Sequence, residues 1–427
     1  VTAKVTPIRA VKDEEGLPAG KPSTRELAAQ IAEHGPYATG GAQMYVFDDG
    51  YYQPGERHLQ RGIVELLGDG WSRRKSEEIA AFLRVSSPEL WERPPLDTIN
   101  VPNGLLDIHT RELRAHTPEH LSPVRIAAAY EPQAECPAID AFIESTIPEL
   151  TGLFMEVVGY LIVPDNRLQR AFMLMGGGGC GKSTAANVIR HLLGRENVSA
   201  VALHQLEEDR FATADLYGRL ANVFADLDAR ALRSSSMFKS ITGGDHIRAE
   251  RKNRDSFTFA PYTRMVFSAN EAPPTADSSD AFFDRWLILP FQRRHRSTDH
   301  QDHDLLTKLT TPGELSGLLN HALDGLDRLR QQHAFSHAAA SDQAAERFRV
   351  DADSAAGFSE EYCTIYDGAR IAKPALFKAY VAWCEANNRR PLAATRFNRR
   401  LAELHQLDQI SSKGRDYWLG IELREEP

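Results

Sequence analysis

A chain of 427 residues, 42% hydrophobic and 26% charged, is long enough for two or three domains with real cores. Its net charge of −9 excludes a protein coated in basic surface, so any nucleic-acid contact must sit in local patches. No stretch approaches the roughly 18 to 20 apolar residues of a membrane helix, the opening VTAKVTPIRAVKDEEG lacks a signal peptide's apolar core, and the four cysteines (Cys136, Cys180, Cys363, Cys384) form no CxxC pair. A cytoplasmic protein with reduced thiols and no zinc site is expected.

In chain order, Val1 to Ser23 reads as a disordered tail rich in charge, Pro and Gly. An α+β region over 24–137 follows. In it, STRELAAQIAEHG predicts a helix capped by Ser23 or Thr24 and ended by Gly35, and AQMYVFDDGYYQP predicts a hairpin turning at Asp49-Gly50. The segment INVPNGLLDIHTRELRAHTPE alternates strands with turn residues, and 138–165 is a helical collar leading into the next domain.

The stretch FMLMGGGGCGKSTAANVIRHLLG, Phe172 to Gly194, sets four consecutive glycines between an apolar run and a helical pattern. Ala171 to Met175 suits a strand covered on both faces. Ala185, Val188, Ile189, Leu192 and Leu193 recur at helical spacing, with Gly194 placed to end the helix. Strand, glycine loop and helix make a phosphate-binding loop of Gly176, Gly177, Gly178, Gly179, Cys180, Gly181, Lys182, Ser183 and Thr184. There, backbone N–H groups and a helix start face an anion. Lys182 is placed to reach the β- and γ-phosphates of ATP and Ser183 to ligate Mg2+.

Hydrolysis also needs an acid on a neighbouring strand. RLANVFADLD supplies Asp226 just past an apolar strand, with Asp228 as a second candidate, although acids at strand ends are also common on plain surfaces. The strand TRMVFSAN delivers Asn270 to its C-terminal end, where a γ-phosphate sensor would sit; a turn-forming Asn before Pro273-Pro274 is the other reading. DAFFDRWLILPF places Arg285 beside an apolar run, either as a cation acting on a neighbouring subunit's nucleotide or as a partner in an internal ion pair. Between acid and sensor, IRAERK and SFTF form a hairpin around Asn253-Arg254-Asp255 that carries Arg248, Arg251, Lys252 and Arg254. Such a tip can follow a phosphate backbone, or can simply be solvated.

Downstream, GELSGLLNHALDGLDRLRQQ is helical and closes a three-layer α/β domain over 166–330, 331–357 reads as a helical linker, and 358–427 forms a small separate unit. Arg389, Arg390, Arg396, Arg399 and Arg400 crowd one acid-free span of that unit.

Taken in order, GGGGCGKST, NVFADLD, FKSITGGDHIRAERKNRDSFTF, FSAN and DAFFDRWLILPF resemble the superfamily 3 helicase motifs, above all those of phage and plasmid primase-helicases and their poxvirus relatives. The segments NVPNGLLDIHTREL, YEPQAECPAIDAFI and GYLIVPDN resemble the helical domain that precedes the motor there. The resemblance implies a multidomain α/β protein with an AAA+ P-loop motor, a mainly helical domain before it and a winged-helix domain after it. In that domain KPALFKAYVAWCEANN would be the first helix, AATRFNRRLAEL the recognition helix and QISSKGRDYWLGIEL the wing. It further implies a hexameric ring with ATP and Mg2+ between subunits, Lys182, Ser183, Asp226 and Asn270 coming from one protomer and Arg285 from the next, with Arg293 and Arg294 as rivals to Arg285. Lys252, then Arg251 and Arg254, would meet single-stranded DNA in the channel, with Arg396, Arg399 and Arg400 as further DNA contacts. The implied activity is 3′–5′ unwinding of forked duplex DNA in replication of a phage, plasmid or integrated element, beside a separate primase or initiator. The competing classes are a DNA-bound remodelling ATPase without unwinding and a nucleotide-gated DNA-binding protein.

Overall fold

The computed structural model describes residues 22–33, 35–225, 227, 235–252, 255–271, 273, 275, 277, 279–293, 302, 304–387, 391–412 and 414–424. Apart from Pro22 and Ser23, the expected tail lies outside these residues.

Ser23 opens the first helix, Thr24–Ala32, through a capping box: its hydroxyl accepts from the Glu26 amide, and the Glu26 carboxylate accepts from the Ser23 amide. Asp49 and Gly50, with φ of 50° and 85°, turn strand Gln43–Asp48 back onto Tyr51–Pro54. Two helices that sequence reading did not single out follow, Glu56–Leu67 and Arg73–Ser86. Leu59, Ile63 and Leu66 on one and Ile79, Ala80 and Leu83 on the other bury with Leu27 and Ile31. Strands Thr98–Val101 and Gly104–Asp107 then pair antiparallel.

The central sheet holds five parallel strands: Ala171–Met175, Val198–Ser199, Ala221–Phe224, Arg264–Ala269 and Trp286–Pro290. Across the sheet they run fifth, first, fourth, third, second. Alternation along the strands divides two cores. Phe172, Leu174, Val266, Leu287 and Leu289 face helices Pro137–Thr146, Thr151–Leu161, Lys182–Leu193 and Pro312–Gln332. Ala171, Met173, Met265, Phe267 and Ile288 face Phe238, Ile241, Phe282 and Phe348. Burial on both faces is why these strands read as unbroken apolar runs. At the sheet edge, buried Asn222 accepts from Ser199 Oγ (2.9 Å) and Val201 N (2.8 Å) and donates to Val201 O, tying the short strand Val198–Ser199 to its neighbour.

Helices Thr151–Leu161 and Pro312–Gln332 meet backbone to backbone. A Cβ at Gly159 would lie 2.3 Å from Ala322 O, and one at Gly325 would lie 2.3 Å from Met155 O. Only glycine permits that approach at these two positions.

The stretch expected as a helical linker over 331–357 does contain a helix, Ala339–Ala352, but it packs on the sheet: Ser341 Oγ donates to Ile288 O at 2.6 Å, and the Phe348 ring lies 6.0 Å from Trp286 and 5.4 Å from Phe283. Its small alanines hid the buried Phe348 face in the sequence. The C-terminal unit likewise begins before Phe358. Helix Ser354–Tyr362 and strand Cys363–Ala372 precede helix Lys373–Ala386, so KPALFKAYVAWCEANN is the unit's second helix rather than its first. Helix Ala394–His405 and the hairpin of Gln409–Ser412 with Arg415–Leu423 complete it, around Phe358, Tyr380, Trp383, Phe397 and Trp418. The four cysteines are buried free thiols, and among the described residues no helix is long and apolar enough to cross a membrane.

Candidate functional site

The glycine run leaves the C-terminal end of strand Ala171–Met175 and enters helix Lys182–Leu193. Gly176 comes so close to the neighbouring strand that a Cβ would lie 2.0 Å from Phe291 O. Gly181, with φ of +89°, takes a left-handed turn that starts the helix, where a Cβ would lie 2.9 Å from Thr146 Cγ2 and 3.2 Å from the Phe142 ring. Gly177 and Gly178 are exposed with open space beside them, Gly179 is half-buried, and Cys180 is buried beneath. Ala185, Val188, Ile189, Leu192 and Leu193 fix the helix to the core, and Gly194 caps it. The start of the helix therefore opens toward solvent at Ser183, which is exposed, beside Thr184, which is half-buried.

The Lys182 ammonium folds back over this loop, donating to Gly176 O, to Gly177 O at 2.7 Å and to Asn270 Oδ1 at 3.3 Å. Asn270 reaches it because strand Arg264–Ala269 lies directly beside Ala171–Met175, with Ala269 opposite Met175. On the far side of the Asn270 strand runs Ala221–Phe224, the expected acid strand. Asp226 and Asp228 themselves lie outside the described residues. A polyphosphate fits the chemistry of this edge: a cation held on carbonyls it can exchange for anionic oxygens, exposed backbone donors, and a hydroxyl at the helix start.

Arg285 sits at the other end of the sheet. It immediately precedes strand Trp286–Pro290, and its carbonyl accepts from Ala171 N at 2.7 Å. About five residues of strand at ~3.3 Å each, roughly 16 Å, separate it from its own chain's loop. Its Nε donates to Thr242 Oγ1 (2.9 Å), its Nη2 to Gln169 Oε1 (3.1 Å) and its Nη1 to Ala281 O. The nearby carboxylates Asp280 and Asp284 are taken by Arg349, at 2.6 and 2.9 Å. The rival Arg293 is exposed just past the other end of that strand, on the loop's side, and Arg294 lies outside the described residues.

Sequence reading gave no sign of Thr242, Gln169 or Arg264. Arg264 opens the Asn270 strand, fully buried. It donates to Leu161 O at 2.6 Å and to Tyr262 O and lies over the Tyr160 ring, and burial pushes its pKa down to about 10. It ties the last turn of helix Thr151–Leu161 to the sheet. Asp277, in the segment after Asn270, is another such tie. Burial works to raise its pKa, but hydrogen bonds from Lys239 (2.8 Å), Ser235 and Ser279 outweigh it and hold the pKa to about 2.

The basic hairpin pairs Ile247–Ala249 with Phe257–Phe259. Lys252 is exposed near its tip; Asn253 and Arg254 lie outside the described residues. Arg251 is engaged elsewhere: Nη1 donates to Gly41 O at 3.0 Å, and the guanidinium lies over Phe257 and Tyr217, 5.1 and 5.7 Å from their centroids. It anchors the hairpin to the N-terminal region. Arg248 faces Glu250 at 3.6 Å.

On helix Ala394–His405, Arg396 is exposed, and Arg399 is exposed with Glu403 at 3.7 Å. Arg400 is bound to buried Asp353 at 2.6 Å, and Asp353 also caps helix Ser354–Tyr362. That guanidinium holds two helices together, which sets it apart from its neighbours. Arg389 and Arg390 lie outside the described residues.

Three family models match the chain: D5 N terminal like over 72–148, a family of unknown function (DUF5906) over 174–285, and poxvirus D5 protein-like over 350–410. The last spans the start of the C-terminal unit as the structure draws it. Two apo structures of the NrS-1 C-terminal region are similar in fold. One has a TM-score of 0.52 at 12% identity, covering 93% of this chain and 99% of that one; the other has 0.51 at 11%, covering 94% and 100%. Over 72–148 and 350–410 the chain therefore carries D5 N-terminal-like and poxvirus D5-like segments, which are primase-helicase-like domains of the superfamily 3 helicase family.

Proposed function

We propose that the chain is an ATP-dependent DNA helicase built on an AAA+ P-loop motor and a C-terminal winged helix, working as a ring, hexameric and 3′–5′ as its family resemblance implies, in replication of a phage, plasmid or other mobile element. The observation that carries the reading is the division of polar groups between the two ends of one parallel sheet. Lys182 and Asn270 meet at the C-terminal edge, while Arg285 stands at the opposite edge, too far to serve the same nucleotide. A head-to-tail contact brings one edge of a subunit to the other edge of the next, and repetition closes a ring.

In this reading Lys182 grips the terminal phosphates of ATP and Asn270 orients the γ-phosphate region. Ser183, with Asp226, holds Mg2+, which neutralises phosphate charge. Arg285 of the adjacent subunit stabilises the charge that develops in transfer. The Lys252 hairpin grips single-stranded DNA by its phosphates, and Arg396 and Arg399 extend the contact to duplex at the fork. Helix order also supports the winged-helix reading: helix, strand, two helices and a two-stranded wing, with Ala394–His405 presenting its basic face outward.

The test is steady-state ATP hydrolysis with and without single-stranded DNA at two salt concentrations, together with strand displacement from a fork. Stimulation that fades with salt, and unwinding that requires Lys182, support a motor. Robust hydrolysis indifferent to DNA would refute it in favour of a remodelling ATPase.

A further inference from the structure

The hairpin and Arg285 are parts of one mechanical unit. Helix Ser236–Gly243 leads directly into the hairpin, and Thr242 on its last turn is buried. The Thr242 hydroxyl donates to Phe238 O at 2.8 Å and accepts from Arg285 Nε at 2.9 Å. A second tie runs through the turn before strand Ala171–Met175. Asn166 packs against Gly244, where a Cβ would lie 2.2 Å from its Nδ2, and that same Nδ2 donates to Pro261 O at 3.0 Å, so Asn166 grips both legs of the hairpin base. Three residues on, Gln169, held at the unfavourable φ of +52°, accepts from Arg285 Nη2 at 3.1 Å. The helix start is fixed independently, Lys239 to Asp277 at 2.8 Å in the segment that follows Asn270. Arg285 therefore has its nitrogens on its own chain, and two of its three partners stand on elements that carry the hairpin.

We propose that Thr242 and Gln169 are positioning residues that park Arg285 away from the neighbouring subunit's nucleotide, and that displacement of the hairpin by bound DNA releases it. Three acceptors on its own chain use three of the five N–H donors and fix where the guanidinium lies, so swinging it to a neighbouring subunit's phosphate means giving those contacts up. A hairpin drawn by DNA moves Thr242, two residues before Gly244, and Asn166 with it. Stimulation of hydrolysis by DNA is then the release of a parked arginine. The inference rests on the ring reading above.

The experiment compares wild type, Thr242→Val and Thr242→Ser as full-length chains, measuring hydrolysis without DNA and with saturating single-stranded oligonucleotide. Valine keeps the shape and removes the acceptor; serine keeps the acceptor. Losing one hydrogen bond to a charged group shifts the parked population by on the order of 10- to 100-fold. Thr242→Val is therefore expected to raise the DNA-free rate by about that factor toward the stimulated rate, and to lower the stimulation ratio equally, while Thr242→Ser keeps the wild-type ratio. A wild-type ratio in Thr242→Val overturns the proposal. So does a fall in both rates, which would make the hydroxyl part of the productive geometry, and so does a serine variant that behaves like valine, which would make packing the cause. Failure of the ring reading is seen separately, in a wild-type chain whose hydrolysis ignores DNA.

Discussion

If Arg285 serves the neighbour's nucleotide, two inactive chains should rescue each other. Lys182→Ala removes the cation that sits on the loop carbonyls, and Arg285→Ala removes the group at the far edge of the sheet, roughly 16 Å away along the strand. An arginine acting on the transferring phosphate contributes about 10³- to 10⁵-fold, so Arg285→Ala alone should retain less than about 0.1% of wild-type turnover, and Lys182→Ala, without its cation on the terminal phosphates, should be inactive as well. In an equimolar mixture of co-assembled chains, an interface works only when its loop comes from the Arg285→Ala chain and its arginine from the Lys182→Ala chain. Random assembly puts that combination at about a quarter of interfaces whatever the ring size, so the mixture should recover about 25% of wild-type hydrolysis if interfaces fire independently. The assay is phosphate release after mixing the unfolded chains and refolding them together, with each variant refolded alone as control. A mixture no more active than its components, with mixed assemblies verified by differently tagged chains, would refute the trans assignment; substantial activity in Arg285→Ala alone would refute the catalytic role altogether.

Other outcomes follow from single contacts. Lys252→Ala should cut stimulation by single-stranded DNA and lower the salt dependence of binding by about one phosphate's worth, whereas Arg251→Ala should loosen the hairpin from Gly41 and show first as increased amide exchange over 247–259. Gly159→Ala should destabilise the chain by about 1–3 kcal/mol in urea unfolding, because the added methyl must push Ala322 O out from 2.3 Å. The Asp277 pKa is depressed, from 3.8 in the unfolded chain to about 2, so its stabilisation is complete above pH 3.8 and is lost as pH falls toward 2; Asp277→Asn should flatten that part of a melting-temperature profile. Asp353→Ala should cost about 1–2 kcal/mol through the lost helix cap, and more from the stranded Arg400, while Arg396→Ala should leave melting unchanged and weaken binding to forked DNA.

What was legible in the sequence were features written in consecutive residues. A cap at Ser23 or Thr24, the Asp49-Gly50 turn, the strand–loop–helix around Lys182 and the termination at Gly194 each depend on local spacing, and the structure forms each one, with Ser23 as the cap. Helices Glu56–Leu67 and Arg73–Ser86 went unmarked because charged faces dilute three apolar contacts apiece. Helix Ala339–Ala352 is legible as part of a helical linker, but its packing on the sheet is not, because its binding face is a single large ring among alanines.

The chain by itself determines which chemistry is carried, because a lysine after a glycine loop or an amide at a strand end is defined by its neighbours along the backbone. Only the tertiary structure decides which of those groups meet. The order of parallel strands sets Asn270 beside Lys182 and Arg285 at the opposite edge. Packing across 43 residues from Arg285 to Thr242, 210 from Arg251 to Gly41 and 47 from Arg400 to Asp353 commits three arginines, alike in sequence, to three different partners. A guanidinium goes to whichever acceptor the fold brings within reach, and spacing along the chain carries no record of that distance.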